Sequence, residues 1–328
     1  MGLTRAVLAV DGGGTKTDVA LVAEDGRLLG FERATSYLPQ VLGAEEAVQG
    51  IGTVIDRVHR QAGEVEALVA AVFLSGADFP SQLAALDRAV AAAAWAPRYL
   101  VDNDIFALLR AGTSSPDAVA VVCGTGFNAV GVAADGRTSR FPAVGRISGD
   151  WGGGTDLALE ALWHAARAED GRGPQTSLRV AVPGHLGYAR VVDVSEALEL
   201  RQLSVAELGG LTPVLFAEAA AGDHVATEIV ARQADEIARV IRVVLRRLDL
   251  LRPAGPVPVV LGGSVLAARH AMLLDGIADG TSDLDVSYLV VDAPPVLGAA
   301  LLALDRLTGT TTPDAVADEV SSALAQRV

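Results

Sequence analysis

Residues 9–27 read AVDGGGTKTDVALVAEDGR, and a slide of 110 residues brings residues 10–27 of this stretch onto 120–137, AVVCGTGFNAVGVAADGR. Gly14-Thr15 falls on Gly124-Thr125, Val22 on Val132, and Asp25-Gly26-Arg27 on Asp135-Gly136-Arg137. A strand, a glycine turn, a second strand and a hairpin turn therefore recur in one order. A series of matches at a single offset reads as a duplication, and two copies are too few for a solenoid. The expectation is two similar domains, each opening on a glycine-turn hairpin.

Outward from the first copy, residues 6–10, 18–22 and 28–32 read as three short strands. A helix over 44–61, an apolar strand over 67–74, a helix near 81–93, a strand over 98–101 and a helix over 105–110 follow. Beyond the second copy the spacing predicts helices over 156–167 and 226–248, a Pro/Gly-rich turn at 252–258 and a buried strand over 259–261. That strand ends in a third glycine turn, Gly262-Gly263-Ser264, with a helix from 265, a strand near 286–291 and helices over 298–304 and 313–325 behind it.

A chain of 328 residues is long enough for two domains, each with its own core. Its apolar residues, 51% of the total, lie in many short segments, as in an α/β protein with buried parallel strands. A net charge of −14 with no Lys/Arg-rich run disfavours nucleic acid and anionic membranes as partners. The single cysteine, Cys123, excludes a disulfide framework within the chain and fits a reducing compartment, so the cytoplasm is expected. The apolar stretch 6–10 runs straight into Asp11 and the glycines, too short for a signal-peptide core or a membrane span.

The turn Asp11-Gly12-Gly13-Gly14-Thr15-Lys16-Thr17 contains what a phosphate cradle needs: glycines that let backbone N–H groups close on an anion, and hydroxyls as further donors. It is not a Walker A loop, because Thr15 separates glycine from lysine and a strand, not a helix, follows. Nor is it a dinucleotide fingerprint, since Thr17 stands where the third glycine belongs. A plain glycine-rich hairpin is the alternative. The second copy, Gly124-Thr125-Gly126, weighs against it, because two such turns suit a polyphosphate held by both, with Gly262-Gly263-Ser264 left for the nucleoside.

With these motifs in order, the sequence resembles the actin-like ATPase superfamily, and within it the N-acetylglucosamine kinases and BadF/BadG/BcrA/BcrD-type activator ATPases. The resemblance runs through the first phosphate motif, Val101-Asp102-Asn103-Asp104, Gly124–Asn128, Ser148-Gly149-Asp150-Trp151-Gly152-Gly153-Gly154, Glu169-Asp170-Gly171-Arg172-Gly173-Pro174 and Gly262–Val265. It implies an α/β fold of duplicated ribonuclease H-like (actin-like ATPase) domains with a central interdomain cleft. The expected divisions are 1–113, 114–308 with a helical insertion, and a C-terminal helix over 309–328 packing back on the N-terminal domain.

The resemblance also implies roles. ATP would be held by Gly13, Gly14, Thr15, Lys16, Thr17, Gly124, Thr125, Gly126, Gly262, Gly263 and Ser264, with Mg2+ bound through water by Asp11. A small sugar, N-acetylglucosamine or another hexosamine, would meet Ser75, Gly76, Asp104, Asn128, Gly145 and Asp150, with Asp104 taking the hydroxyl proton. Helix-terminal placement is expected to keep that carboxylate ionised. The bland alternatives are that Asp102, Asn103 or Asp104 caps a helix, that Asp150 caps the next one, and that Trp151 and Trp163 only pack. Two departures touch sugar recognition: residues 34–43, ATSYLPQVLG, lack the family's asparagine, and a tryptophan is replaced near Val144. The rival functions are an activator ATPase, whose bridging cluster needs two cysteines per chain, and a nucleotide-switched sugar sensor. A homodimer is expected.

Overall fold

A computed structural model describes residues 3–251 and 255–327, so part of the 252–258 turn lies outside the described residues. Strands β1 (Thr4–Gly12), β2 (Lys16–Ala23), β3 (Leu28–Thr35), β4 (Val65–Leu74) and β5 (Arg98–Asp102) form one sheet. Strands β6 (Ala118–Cys123), β7 (Phe127–Val132), β8 (Thr138–Arg140), β9 (Val257–Gly262) and β10 (Val286–Val290) form another. The helices are α1 (Pro39–Leu42), α2 (Ala44–Ala62), α3 (Pro80–Ala93), α4 (Asp104–Gly112), α5 (Gly153–Glu169), α6 (Leu178–His185), α7 (Val191–Glu199), α8 (Leu211–Ala220), α9 (His224–Arg247), α10 (Ser264–Ala267), α11 (Ala271–Gly280), α12 (Pro295–Thr308) and α13 (Asp314–Ala325).

The strand orders are β3-β2-β1-β4-β5 and β8-β7-β6-β9-β10, the same sequence of roles in each sheet. In the first, β1–β2 and β2–β3 are antiparallel while β1–β4 and β4–β5 are parallel. In the second, β7–β8 is antiparallel and β9–β10 parallel. The two hairpin turns repeat bond for bond. The Ala23 N–H donates to the Arg27 carbonyl and the Ala133 N–H to that of Arg137, each at 2.9 Å. Gly26 and Gly136 take φ of +93° and +85°, and the arginine Nε donates back to the aspartate at 2.9 and 2.7 Å. A third Asp-Gly-Arg turn, at Asp170–Arg172, closes in the same way, with Nε to carboxylate 2.8 Å.

Packing divides the chain into two compact units, one of residues 1–120, 130–144 and 291–328, the other of 121–129 and 145–290. In the first unit both faces of the sheet are covered, so β1 is apolar at every inward position. Its Ala6, Leu8 and Val10 pack with α2 and α3; Val7 and Ala9 pack with α12 and α13. Residues 291–308, which the sequence reading placed in the C-terminal domain, pack here. Gly298 of α12 sits so close to α4 that an added Cβ would overlap the Ala107 carbonyl oxygen and lie 2.7 Å from the Ala111 nitrogen. Val320 and Leu324 of α13 are fully buried in the same cluster.

The second unit is mainly helical outside its strands. Its long amphipathic α9 buries Ile229, Ile237, Ile241 and Leu245 along one face. Helices α6 to α8 have no counterpart in the element-by-element sequence reading, which foresaw only a helical insertion. Pro183 inside α6, with Gly184 and Gly187 close behind, interrupts the periodicity that would announce them. No described helix is long and apolar enough to cross a membrane.

Candidate active site

The first unit gathers its charged groups at the C-terminal ends of the parallel strands. The sheet register places Asp102, Phe73, Asp11, Asp18 and Arg33 side by side in one row across all five strands. Ligands of open α/β sheets bind outside this edge. Asp11 and Asp18 are directly paired like charges, an arrangement that costs stability unless cations intervene. Arg33 binds the fully buried Asp18 carboxylate with two bonds, 2.7 and 2.8 Å, and Lys16 Nζ lies 3.3 Å from it. Arg33→Met would strand that buried charge with only Lys16 beside it. The expected loss is roughly 2–3 kcal/mol, read as a lower Tm at neutral pH.

Asp11, 5% exposed, keeps no such partner to itself. Burial first, then the nearby Asp104 and Asp18 carboxylates, hold its carboxyl well above the usual carboxylate range against the weaker pull of Lys16 and Arg33. A cation near Asp11 would offset the burial and both neighbouring carboxylates together.

Asp104 is the first residue of α4, directly after β5. The capping role falls to Asn103, whose Oδ1 accepts the Ile105 N–H at 3.1 Å. Asp102 is held by both guanidinium nitrogens of Arg140, at 2.6 Å each. Asp104 is thus left for other work. Asn103 Nδ2 also donates to Asp78 Oδ1 at 2.9 Å, drawing a second carboxylate toward the same helix end. Burial and Asp78 push the Asp104 carboxyl up to about 7, although the Ile105 and Asp104 amides pull it down. The expectation of an ordinary ionised carboxylate is corrected here. The helix end is present, but desolvation and a like charge outweigh it.

The first glycine turn is tied down at its rim. Gly13 N–H donates to the Lys16 carbonyl at 2.9 Å, Ser36 Oγ to the Gly13 carbonyl at 2.6 Å, and Ser75 N–H to the Gly12 carbonyl at 2.7 Å. Gly14 and Thr15 remain on the outer bend. Thr17 is fully buried, its Oγ1 accepting the Tyr37 N–H at 3.3 Å, so it anchors the chain after β3. Gly76 follows Ser75 with φ +81°, and a Cβ there would overlap the carboxamide of Gln40. The segment lacking the family's asparagine therefore still brings an amide to this turn.

In the second unit three glycine turns meet backbone to backbone. Gly263, φ +88°, lies so close to β6 that a Cβ would be 2.5 Å from the Cys123 carbonyl carbon. Gly153, φ +82°, approaches Gly126 as closely, and the Gly154 N–H donates to the Gly124 carbonyl at 2.7 Å. Gly124–Gly126, Gly152–Gly154 and Gly262–Ser264 are thus one cluster. Asn128 lies on β7 with its Oδ1 accepting the Ala129 N–H at 2.7 Å. Asp150 is held by the Ser148 hydroxyl, and its own N–H donates to the Gly145 carbonyl at 3.2 Å. The cap of α5 is Gly152, so Asp150 has no capping role.

Residues 8–303 match the family model described as the BadF/BadG/BcrA/BcrD ATPase family. The chain belongs to that family. With its two sheets of matched strand order, the chain has an α/β fold of duplicated actin-like ATPase domains. It is 27% identical over 312 residues to the N-acetyl-D-glucosamine kinase of Dictyostelium discoideum, spanning 91% of this chain and 97% of that protein. It is 23% identical over 254 residues to the N-acetylmuramic acid/N-acetylglucosamine kinase of Clostridium acetobutylicum, spanning 75% and 81%. A crystal structure of a candidate N-acetylglucosamine kinase from Chromobacterium violaceum shares its fold with a TM-score of 0.68 at 22% identity, covering 92% of this chain and 99% of that one.

The family's remaining landmarks fall as follows. Cys123 is fully buried on β6, and burial pushes its thiol up to about 12, the state of an inert structural thiol. Trp151 is buried under the Arg232 guanidinium, 4.0 Å from its ring centre, so it packs. Trp163 is 51% exposed and lines a cavity of about 680 Å3 with Arg146 and Glu160. Asp18, Arg33 and Asp78 escaped the sequence reading, whereas Asn103 is one of the three residues it offered as the helix cap. The sheet row exists only once register is known.

Proposed function

We propose that this protein is an ATP-dependent sugar kinase acting on a hexosamine, N-acetylglucosamine foremost, with Asp104 as general base. The observation that carries the reading is the Asp104 carboxyl at the start of α4, with no cation paired to it among the described residues and with burial and Asp78 holding it at about 7. A group with that affinity accepts a proton near neutrality and remains a useful base. In the proposed reaction the sugar hydroxyl gives its proton to Asp104, its oxygen forms the new bond to the γ-phosphorus, and the bond to the ADP oxygen breaks. Both curated relatives named above are sugar kinases, which supports the same substrate class here.

The ATP phosphates are assigned to Gly13–Thr15 and to Gly124–Gly126, and the nucleoside to Gly262–Ser264. Lys16 is already committed to Asp18, so its contribution to the phosphates is shared. Among the described residues no group of three or more His, Cys, Asp or Glu side chains is arranged to cage a metal. The raised Asp11 carboxyl suits a hydrated Mg2+ that arrives with the phosphates and would offset their charge. Ser75, Gly76, Asn128, Gly145 and Asp150 are assigned to the sugar. The activator-ATPase alternative is disfavoured by a single, inert cysteine. A cytoplasmic homodimer completes the reading, and sedimentation would check its second half.

Coupled ADP release across a panel of hexoses and hexosamines tests the proposal. Turnover should depend on added sugar and be fastest with a 2-acetamido sugar. ADP release indifferent to every sugar would overturn it.

A further inference from the structure

Every N–H at the start of α5 is committed within the protein. Gly152 N–H donates to Asp156 Oδ2 at 3.1 Å, Gly153 N–H to Gln233 Oε1 at 3.0 Å, Gly154 N–H to the Gly124 carbonyl at 2.7 Å, and Thr155 N–H to the Thr125 carbonyl at 3.1 Å. A helix start usually offers such groups to an anion. Here two of them instead hold the carbonyls of the second glycine turn. In a planar trans peptide the carbonyl and the next N–H point in opposite directions. With the Gly124 and Thr125 carbonyls fixed on α5, the Thr125 and Gly126 N–H groups face away from it, and neither donates a bond among the described residues.

Gln233 comes from a distant element, α9, and it is fully buried. Its carboxamide fills the space beside Gly152, where a Cβ would lie 2.6 Å from Nε2. Nε2 itself has no hydrogen-bond partner among the described residues. A buried donor without a partner is costly, so a site that needed only volume would be better filled by an apolar side chain. The amide is explained by what its oxygen does. It fixes the bend at Gly152 and Gly153, with φ of +126° and +82°, and so the pitch of the first turn of α5.

We infer that Gln233 is a positioning residue for the nucleotide phosphates. Through Gly153 it sets the N-terminus of α5, α5 sets the Gly124 and Thr125 carbonyls, and these aim the Thr125 and Gly126 amides at a phosphate. The inference rests on the reading of Gly124–Gly126 as a phosphate loop.

Equilibrium binding of ATP, with separate KM values for ATP and sugar, tests it. Gln233→Met keeps the volume and loses the acceptor; with the turn no longer fixed it should weaken ATP binding about tenfold or more and leave the sugar KM within about twofold. Gln233→Glu retains an acceptor oxygen in the same shape and should recover most of the affinity. Gly152→Ala would displace the carboxamide from the opposite side, and it decides the matter if the Met protein fails to fold. Normal ATP affinity in a folded Met or Ala variant, or equal losses for ATP and sugar, would overturn the role of Gln233. Absence of ATP binding in the native protein would instead overturn the kinase reading.

Discussion

Asp104→Asn should lower sugar phosphorylation at least about a hundredfold while ATP affinity stays unchanged, the pattern of a lost general base rather than a lost binding contact. The asparagine keeps the shape and the start of α4, because the cap is supplied by Asn103. What goes is a proton acceptor. In the native enzyme kcat/KM should rise as pH climbs through about 7, where the Asp104 carboxyl ionises, and the variant should lose that limb. The stability arm has its own sign. The folded protein holds this proton to a higher pH than the unfolded chain does, so Asp104 costs stability progressively from the ordinary carboxylate range up to about 7. Asp104→Asn should therefore raise Tm at pH 8 and leave it little changed at pH 3.5. A variant with near-native turnover would remove Asp104 from the mechanism, and one less stable at pH 8 would overturn its raised proton affinity.

Gly298→Ala should be the most damaging single methyl in the first unit. The added Cβ would overlap the Ala107 carbonyl oxygen, with the Ala107 carbon and Ala111 nitrogen each 2.7 Å away. These are backbone atoms of α4 and cannot rotate aside. The two helices must separate, which loosens the apolar layer formed by Val296, Leu297, Ala300 and Leu301 against β1 and β4. The cost should be about 3–5 kcal/mol, seen as a Tm lower by roughly 10 °C. Because α4 also carries Asp104, kcat should fall with it. Unchanged stability would mean that Gly298 does not pack against the α4 backbone.

The repeated strand order was legible because glycine turns and Asp-Gly-Arg corners carry their geometry locally. A left-handed glycine and an arginine folded onto its own aspartate need no distant partner. Asp104 stood out as a candidate chiefly through the family resemblance, together with its place after a strand. Its raised proton affinity did not, since that depends on Asp78, which lies 26 positions earlier and is bound at the helix end by Asn103. The row of charges from Asp102 to Arg33 was equally hidden, because it exists only in the pairing register of five strands. The return of α12 to the first unit left no local mark either: an apolar helix does not announce which sheet it will cover. Gln233 was not singled out within the predicted 226–248 helix, and only the fold shows that its side of α9 faces the glycine bend.

The return of α12 and α13 bears on how the protein is made. One face of the first sheet, with Val7, Ala9, Val69, Ala71 and Phe73, is covered by side chains from residues 296–324. On the ribosome those strands emerge well before their cover. At about 5–20 residues per second the interval is on the order of ten to forty seconds, during which an apolar sheet face is open to other nascent chains. Loss of the last two helices to early termination would leave that face bare for good. Such fragments should be found with chaperones or in inclusion bodies, however well the glycine loops themselves are translated.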